Sequence, residues 1–265
     1  MLFYFLRGII FPVNQKWRKI MEKFFLTTEI APEGVGFSCF GFLHLLWIGC
    51  LFAAVITAGV SYRKTDDAAA VRWRKTLAVL ILANEVLLKQ VPLILCGHWL
   101  ATYLPLHLCS INMFLVAWHA WKGGEKLGQF LYTVCIPGAM AALLFPSWTV
   151  LPPFCLMSIH SFTIHILLVL YPVLLVIRGD IKPNWRQIPQ CLFVLAVLAM
   201  IALGANLLFD TNFFFLMEAE PGNPLYLFET LWGSHLLGFP VLITAVLVVM
   251  HLPVAVYRKI RSVNV

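Results

Sequence analysis

The sequence predicts an all-α membrane protein, a seven-transmembrane-helix bundle with its N-terminus outside and its C-terminus cytoplasmic. Three observations predict it. Hydrophobic residues make up 61% of the 265-residue chain and charged residues only 12%, against roughly 45–50% and 25% in a soluble domain. Seven apolar runs each reach about 20 residues, the length of a helix that crosses a hydrocarbon core. The basic residues gather in alternate segments between those runs. The composition does not fit a soluble enzyme, a disordered chain or a secreted disulfide scaffold. The runs are long and unbroken, whereas strands of a membrane barrel are short and alternating.

The runs follow in order, with a bundle at 40–257 between a tail at 1–39 and a basic tail at 258–265. Span 40–60 carries His44 near its start. Span 76–95 holds the two charges that fall inside the membrane, Glu85 and Lys89. Span 101–121 opens on Leu104-Pro105-Leu106-His107-Leu108-Cys109-Ser110. Span 127–146 contains Cys135, which reads with Cys50 and Cys191 as lipid-facing or packing. Span 154–177 carries His160 and His165 in its first half. Span 188–209 ends on Asn206, just before Asp210, and span 236–257 runs into the basic tail. The loops are too short for a separate soluble domain.

Charge sets the orientation. Arg63, Lys64, Arg72, Arg74 and Lys75 lie in one loop, Lys122 and Lys126 in another, Arg178, Lys182 and Arg186 in a third, and Arg258, Lys259 and Arg261 in the tail. The opposite loops hold only Asp210, Glu218, Glu220 and Glu229. The positive-inside rule places the basic set in the cytoplasm. The net charge of +7 then reports orientation and contact with anionic lipid, not nucleic acid. Residues 1–20 disagree, because Arg7, Lys16, Arg18 and Lys19 fall on the outer side. Either this segment is an interfacial amphipathic helix, or Met21 is the physiological start.

A charge in the bilayer is costly and normally faces a bundle interior or a wet cavity. Glu85 and Lys89 are four residues apart and share a helix face. They read first as a structural ion pair locking the helix, and second as the edge of a polar site. With that pair, His44, His107, Cys109, His160, His165, Asn206 and Asp210 fall at a similar depth, on five helices in all. That stratum predicts a polar cavity in the outer half of the bilayer.

Cys109 is the candidate nucleophile there, since a neighbouring histidine can generate a thiolate; a buried inert cysteine is the competing reading. His107 is two residues away, about 200° around a helix, so it does not face the sulfur. Asn112 at i+3 does share that face, as a group to orient a base or bind an oxyanion. The base comes from another helix, His165 before His160. Those two histidines are five apart, not the i,i+4 pair of a metal site, and no cofactor motif is present. Seven cysteines form no framework; one disulfide among Cys39, Cys96 and Cys155 is the only pairing that compartment favours. His98, His119, His235 and His251 read as ordinary interfacial side chains.

These residues carry a resemblance. L-P-L-x-L-C at 104–109, Glu85 in the preceding span, His165 with Pro183 eighteen residues on, and Asn206…Asn212-Phe213-x-x-Leu216…Pro221 together resemble the YwaF-type bacterial integral membrane proteins. These are similar to the eukaryotic transmembrane protein 164 group, and the likeness covers roughly 37–257. The resemblance implies a cysteine-dependent phospholipid acyltransferase with Cys109 as nucleophile and His165 as the histidine of the fifth helix. It also implies a bacterial plasma-membrane location, phospholipids and lysophospholipids as substrates, and no cofactor. The expected function is thus acyl-chain remodelling, or ester hydrolysis if water takes the acyl group. Supporting polar residues are Glu85, Lys89, His107, Asn112, His160, Asn206 and Asn212. The alternatives are a small-solute transporter, disfavoured because no mirrored polar cluster is evident in the inner half, and a non-catalytic lipid-binding factor.

Overall fold

A computed structural model describes residues 23–220 and 222–263, the side chains of 257–263 excepted. The two readings of residues 1–20, Pro221 of the family-like motif and the side chains of the basic tail lie outside the described residues. The described residues are helical throughout, without a strand. Seven helices are long and apolar enough to cross a membrane: α1 Phe42–Arg63, α2 Asp67–Cys96, α3 Ala101–Lys122, α4 Glu125–Leu144, α5 Leu156–Arg178, α6 Trp185–Phe209 and α7 His235–Val256. Each overlaps one predicted run.

Two boundaries differ in an informative way. Helix α2 begins at Asp67, well before residue 76, so Arg72, Arg74 and Lys75 ride on the helix and not in a loop. Asp66 caps it by accepting the Ala69 N–H at 2.6 Å, which satisfies an otherwise orphaned donor. Helix α3 is interrupted. A short turn at Ala101–Tyr103 is followed by Leu104 in an extended conformation (φ −54°, ψ 141°), and the α-helix proper starts at Leu108. Pro105 lacks an N–H and biases Leu104 away from helical geometry. The loop after α6 also holds a helix absent from the sequence reading, Pro224–Trp232, with Asn223 capping the Leu225 N–H at 2.9 Å.

Prolines mark the irregular turns. In α2 the five residues Val86–Gln90 form a π-turn closed by the Val91 N–H on the Val86 carbonyl, and Pro92 follows. In α4 the residues Leu131–Cys135 form a second π-turn closed by the Ile136 N–H on the Leu131 carbonyl, and Pro137 follows. A proline removes the i→i−4 bond and crowds that carbonyl, and a widened turn relieves both. Pro172 inside α5 has the same effect on the carbonyl of Leu168. That carbonyl accepts the Cys135 thiol at 3.5 Å, so Cys135 is a buried packing residue. Cys191 is buried as well and Cys50 is exposed. All seven cysteines are free thiols, so the disulfide considered among Cys39, Cys96 and Cys155 is not formed.

Helix α5 is the hub, packing on α1, α2, α3 and α4. Its window is 67% buried, against 17% for α6 and 6% for α7. Lipid tails are as apolar as leucine, so close packing and polar contacts, not water avoidance, hold such a bundle. Ile81, Met113, Val116 and Leu168 are buried to 2% exposure or less and belong to one core. Phe52, Ile56, Phe193, Leu208 and Val249 point outward. Helix α7 is tied to α4 where the Tyr132 hydroxyl donates to the Met250 carbonyl at 2.5 Å, with the Tyr132 and His251 rings edge-on.

A strap of residues before α1 lies over one end of the bundle. Glu29 accepts from the Tyr103 hydroxyl at 2.5 Å, and the Phe37 N–H donates to the Thr149 carbonyl at 2.9 Å. Gly36 permits that approach: a Cβ there would stand 2.1 Å from the Thr149 oxygen. His44 pins the same end. Its Nδ1 accepts the Phe40 N–H at 2.8 Å and its Nε2 donates to the Leu143 carbonyl at 2.6 Å.

Candidate functional site

The strapped end of the bundle gathers polar side chains from α2, α3 and α5. The first is a carboxylate network. Glu85 Oε1 faces Lys89 Nζ at 3.2 Å and accepts from Gln90 Nε2 at 2.8 Å. Its Oε2 accepts from His160 Nε2 at 2.9 Å. Gln90 also donates to the Tyr103 carbonyl at 2.9 Å and accepts from the Trp99 indole at 3.0 Å. The π-turn builds this group. In a regular α-helix Gln90, five residues on, stands about 140° from Glu85; the wider turn brings it round beside Lys89. Lone charges at this depth are expensive, and here both are buried and paired. His160 is tied through Nε2, while its Nδ1 is buried without a partner.

The second group is a thiol and an imidazole. The Cys109 thiol and the His165 ring lie close enough to interact. His165 Nδ1 donates to the Ser161 carbonyl at 2.6 Å, which leaves Nε2 as the acceptor for the thiol proton. Trp148 stacks on the ring, centroids 5.4 Å apart and planes 11° from parallel. Cys109 is the second residue of the α-helical part of α3, after His107 as N-cap. The first backbone bond of that helix runs from the Ile111 N–H to the His107 carbonyl at 2.9 Å. The N–H groups of Leu108, Cys109 and Ser110 therefore have no carbonyl within the helix, and the positive end of its dipole lies at the sulfur. Asn112 is buried on the same helix, its Oδ1 without a partner.

The two groups are one electrostatic unit. The charges of Glu85 and Lys89 act on Cys109 and His107, Lys89 and His165 act on His160, and His165 acts on His107. The structure thus brings Glu85, Lys89, His107, Cys109, His160 and His165 together. It does not bring Asn206, Asn212 or His44 into the group. Asn206 organises the loop after α6, accepting the Phe213 N–H at 2.7 Å and donating to the Phe213 carbonyl at 3.0 Å. Asn212 accepts from the Met217 and Glu218 N–H groups. Their reach is indirect, because Phe213 packs edge-on against the His107 ring at 4.9 Å. His44 belongs to the α1–α4 contact described above, so three helices, not five, supply the polar stratum.

Sequence reasoning missed Gln90, Trp99, Trp148 and the Ser161 carbonyl. Pro92, two residues beyond Gln90, was the available signal for a π-turn. Trp148 sits in a loop, where no helical periodicity marks it. Sequence reasoning also missed a polar cluster at the other end. There the Tyr62 hydroxyl donates to Asp180 at 2.8 Å, His119 Nδ1 meets the Tyr171 hydroxyl at 2.9 Å, and Arg178 pairs with Asp67 and Asp180. His119 is buried, not an interfacial ring. The fully apolar layer of Ile81, Met113, Val116 and Leu168 falls between the two clusters in the sequence of α2, α3 and α5.

Fold and site together define a multi-pass membrane protein with a thiol–imidazole pair and a buried carboxylate network at one end of a seven-helix bundle. A family model matches residues 37–251, most of the chain and all of that site. The chain belongs to the TMEM164 family. Neither the curated proteins nor the solved structures contain a match.

Proposed function

We propose that this protein is an intramembrane lipid acyltransferase that remodels phospholipid acyl chains through a thioester on Cys109. The proposal places it in a bacterial plasma membrane, N-terminus outside and C-terminus cytoplasmic, with Cys109 in the outer half of the bilayer. The observation that carries it is the Cys109 thiol beside the His165 ring, with Nδ1 of His165 already committed to Ser161. A histidine held in that tautomer has one job left for its other nitrogen, to take a proton.

The steps balance as follows. The Cys109 sulfur attacks the ester carbonyl of a phospholipid as its proton passes to His165 Nε2. The carbonyl oxygen becomes an oxyanion, within the field of the helix N-terminus and the Leu108–Ser110 amides, with Asn112 close by. The carbon–oxygen bond breaks and the His165 proton goes to the departing alkoxide, releasing a lysophospholipid. A second lysolipid hydroxyl then attacks the thioester, His165 takes its proton, and that proton returns to the sulfur. If water attacks instead, the product is a free fatty acid and the protein is a hydrolase.

The transport reading has less support, because an apolar layer separates the two polar clusters along α2, α3 and α5. The test is incubation of the reconstituted protein with phospholipid bearing a labelled acyl chain. The expected result is a hydroxylamine-sensitive label on Cys109 and label transfer to added lysophospholipid, both absent in Cys109→Ala. Undiminished lipid turnover in that variant sinks the proposal. A folded protein that binds lipid but never acquires label supports the non-catalytic reading.

A further inference from the structure

We propose that Arg74, at the end of the bundle away from Cys109, holds a phosphate oxyanion, that of a lipid headgroup or of a free phosphate. The argument starts from two arginines in one neighbourhood. Arg178 is compensated twice, by Asp67 and by Asp180, and its guanidinium stands 6.0 Å over the Tyr62 ring. Arg74 is half-buried, and its Nε is enclosed with no acceptor. No carboxylate oxygen lies within 4.0 Å of it among the described residues.

The charge of Arg74 acts on Tyr62 of α1, His119 of α3 and Tyr171 of α5. Asp180 acts on the same three groups, but its oxygens are taken by Arg178 and the Tyr62 hydroxyl. Arg74 thus shares this neighbourhood with Asp180, while its enclosed Nε–H has no acceptor among the described residues. Enclosing a guanidinium N–H without an acceptor is unfavourable, and an anion supplied from outside would satisfy it. A guanidinium fork matches phosphate oxygens two at a time. Exposed Arg63, Lys64 and Arg72 flank the position and raise the local concentration of anionic headgroups or phosphate.

The test is thermal unfolding of the full chain in detergent, titrated separately with phosphatidylglycerol, with diacylglycerol, which lacks the phosphate, and with inorganic phosphate. The expected result is a saturable rise in Tm with phosphatidylglycerol or phosphate and none with diacylglycerol. A response to phosphatidylglycerol alone identifies the lipid headgroup; a response to inorganic phosphate identifies the free anion. Arg74→Gln should abolish the shift, and Arg72→Gln, on the exposed face, should retain it. If Arg74→Gln does not fold, Arg74→Lys keeps the charge without the fork and should weaken apparent affinity at least about tenfold, one bidentate contact's worth. The proposal is overturned if the wild type responds to neither phosphate source, if the Arg74 variants respond as the wild type does, or if Arg72→Gln loses as much as Arg74→Gln.

Discussion

His165 donates its Nδ1 proton to the carbonyl of Ser161, one turn back on the same helix and 2.6 Å away. That bond sets the tautomer, and the Trp148 ring stacked on the imidazole sets its plane. The reactivity of Cys109 should then depend on both partners of the ring. Alkylation of Cys109 by iodoacetamide, followed by mass spectrometry, should slow by about 10²-fold or more in His165→Gln, the scale of losing a positioned base. Trp148→Ala should slow it by less. Equal rates in all three proteins would show that the imidazole does not activate the thiol.

Glu85 and Lys89 should behave as a unit. Removing one partner of a buried pair leaves the other uncompensated, at about 3–5 kcal/mol, whereas replacing both with apolar groups costs far less. Glu85→Ala should therefore unfold at much lower denaturant than the Glu85→Leu, Lys89→Met double variant. Simple additivity of the single losses would contradict the pairing at 3.2 Å.

Asn206 acts at a distance from the thiol. Its side chain makes three hydrogen bonds, to the N–H and carbonyl of Phe213 and to the Thr211 hydroxyl. Asn206→Leu keeps the volume and strands those groups, at about 1–3 kcal/mol each when buried. Amide exchange across 210–216 should accelerate, and the Phe213 ring should leave His107. Unchanged protection in that loop would place its anchor elsewhere.

The strap over the site should open with acid. Burial alone would raise the Glu29 carboxyl, but hydrogen bonds from Tyr103, Thr27 and Thr28 outweigh it and hold Glu29 below its ordinary value of 4.5. A carboxylate lowered in the folded state stabilises fully above its unfolded value, and that stability is lost as pH falls through the folded value. Proteolysis at 23–40 by an acid-active protease should therefore rise below pH of about 4.5 and be less pH-dependent in Glu29→Gln. Gly36→Ala should free the strap at every pH, because its Cβ cannot share space with the Thr149 oxygen.

Much of this was legible in the residues. The seven helices follow from apolar run length, and the pairing of Glu85 with Lys89 from their spacing. Cys109 stood out because it lies in the polar stratum just after Pro105, and with His107 turned away the base was expected from another helix, His165 before His160. What stayed hidden was set by backbone irregularity and by loops. The break after Leu104, which places Cys109 at a helix start, and the π-turn that recruits Gln90 both depend on prolines whose effect a regular wheel does not show. Trp148 reaches His165 from a loop, where no periodicity exists to read. The cluster around Tyr62, His119 and Arg74 was missed because α2 starts earlier than its apolar run, carrying its arginines on the helix.

Each π-turn carries the equivalent of one extra residue inside an otherwise ordinary helix. Removing a single residue from 86–90 would restore regular winding and leave everything beyond it near its present bearing, because four α-helical residues turn the chain through roughly the same 400° as the five of the π-turn. Pro92 and Leu93, which line a small cavity under the strap with Thr27 and Met157, would keep their bearing, as would Asp67–Glu85, while the carboxylate network at Gln90 would be lost. A one-codon deletion is thus a ready mutational route to remove Gln90 from Glu85 without disturbing the helix on either side. Homologues of unequal length should differ at this turn before they differ in the helices around it.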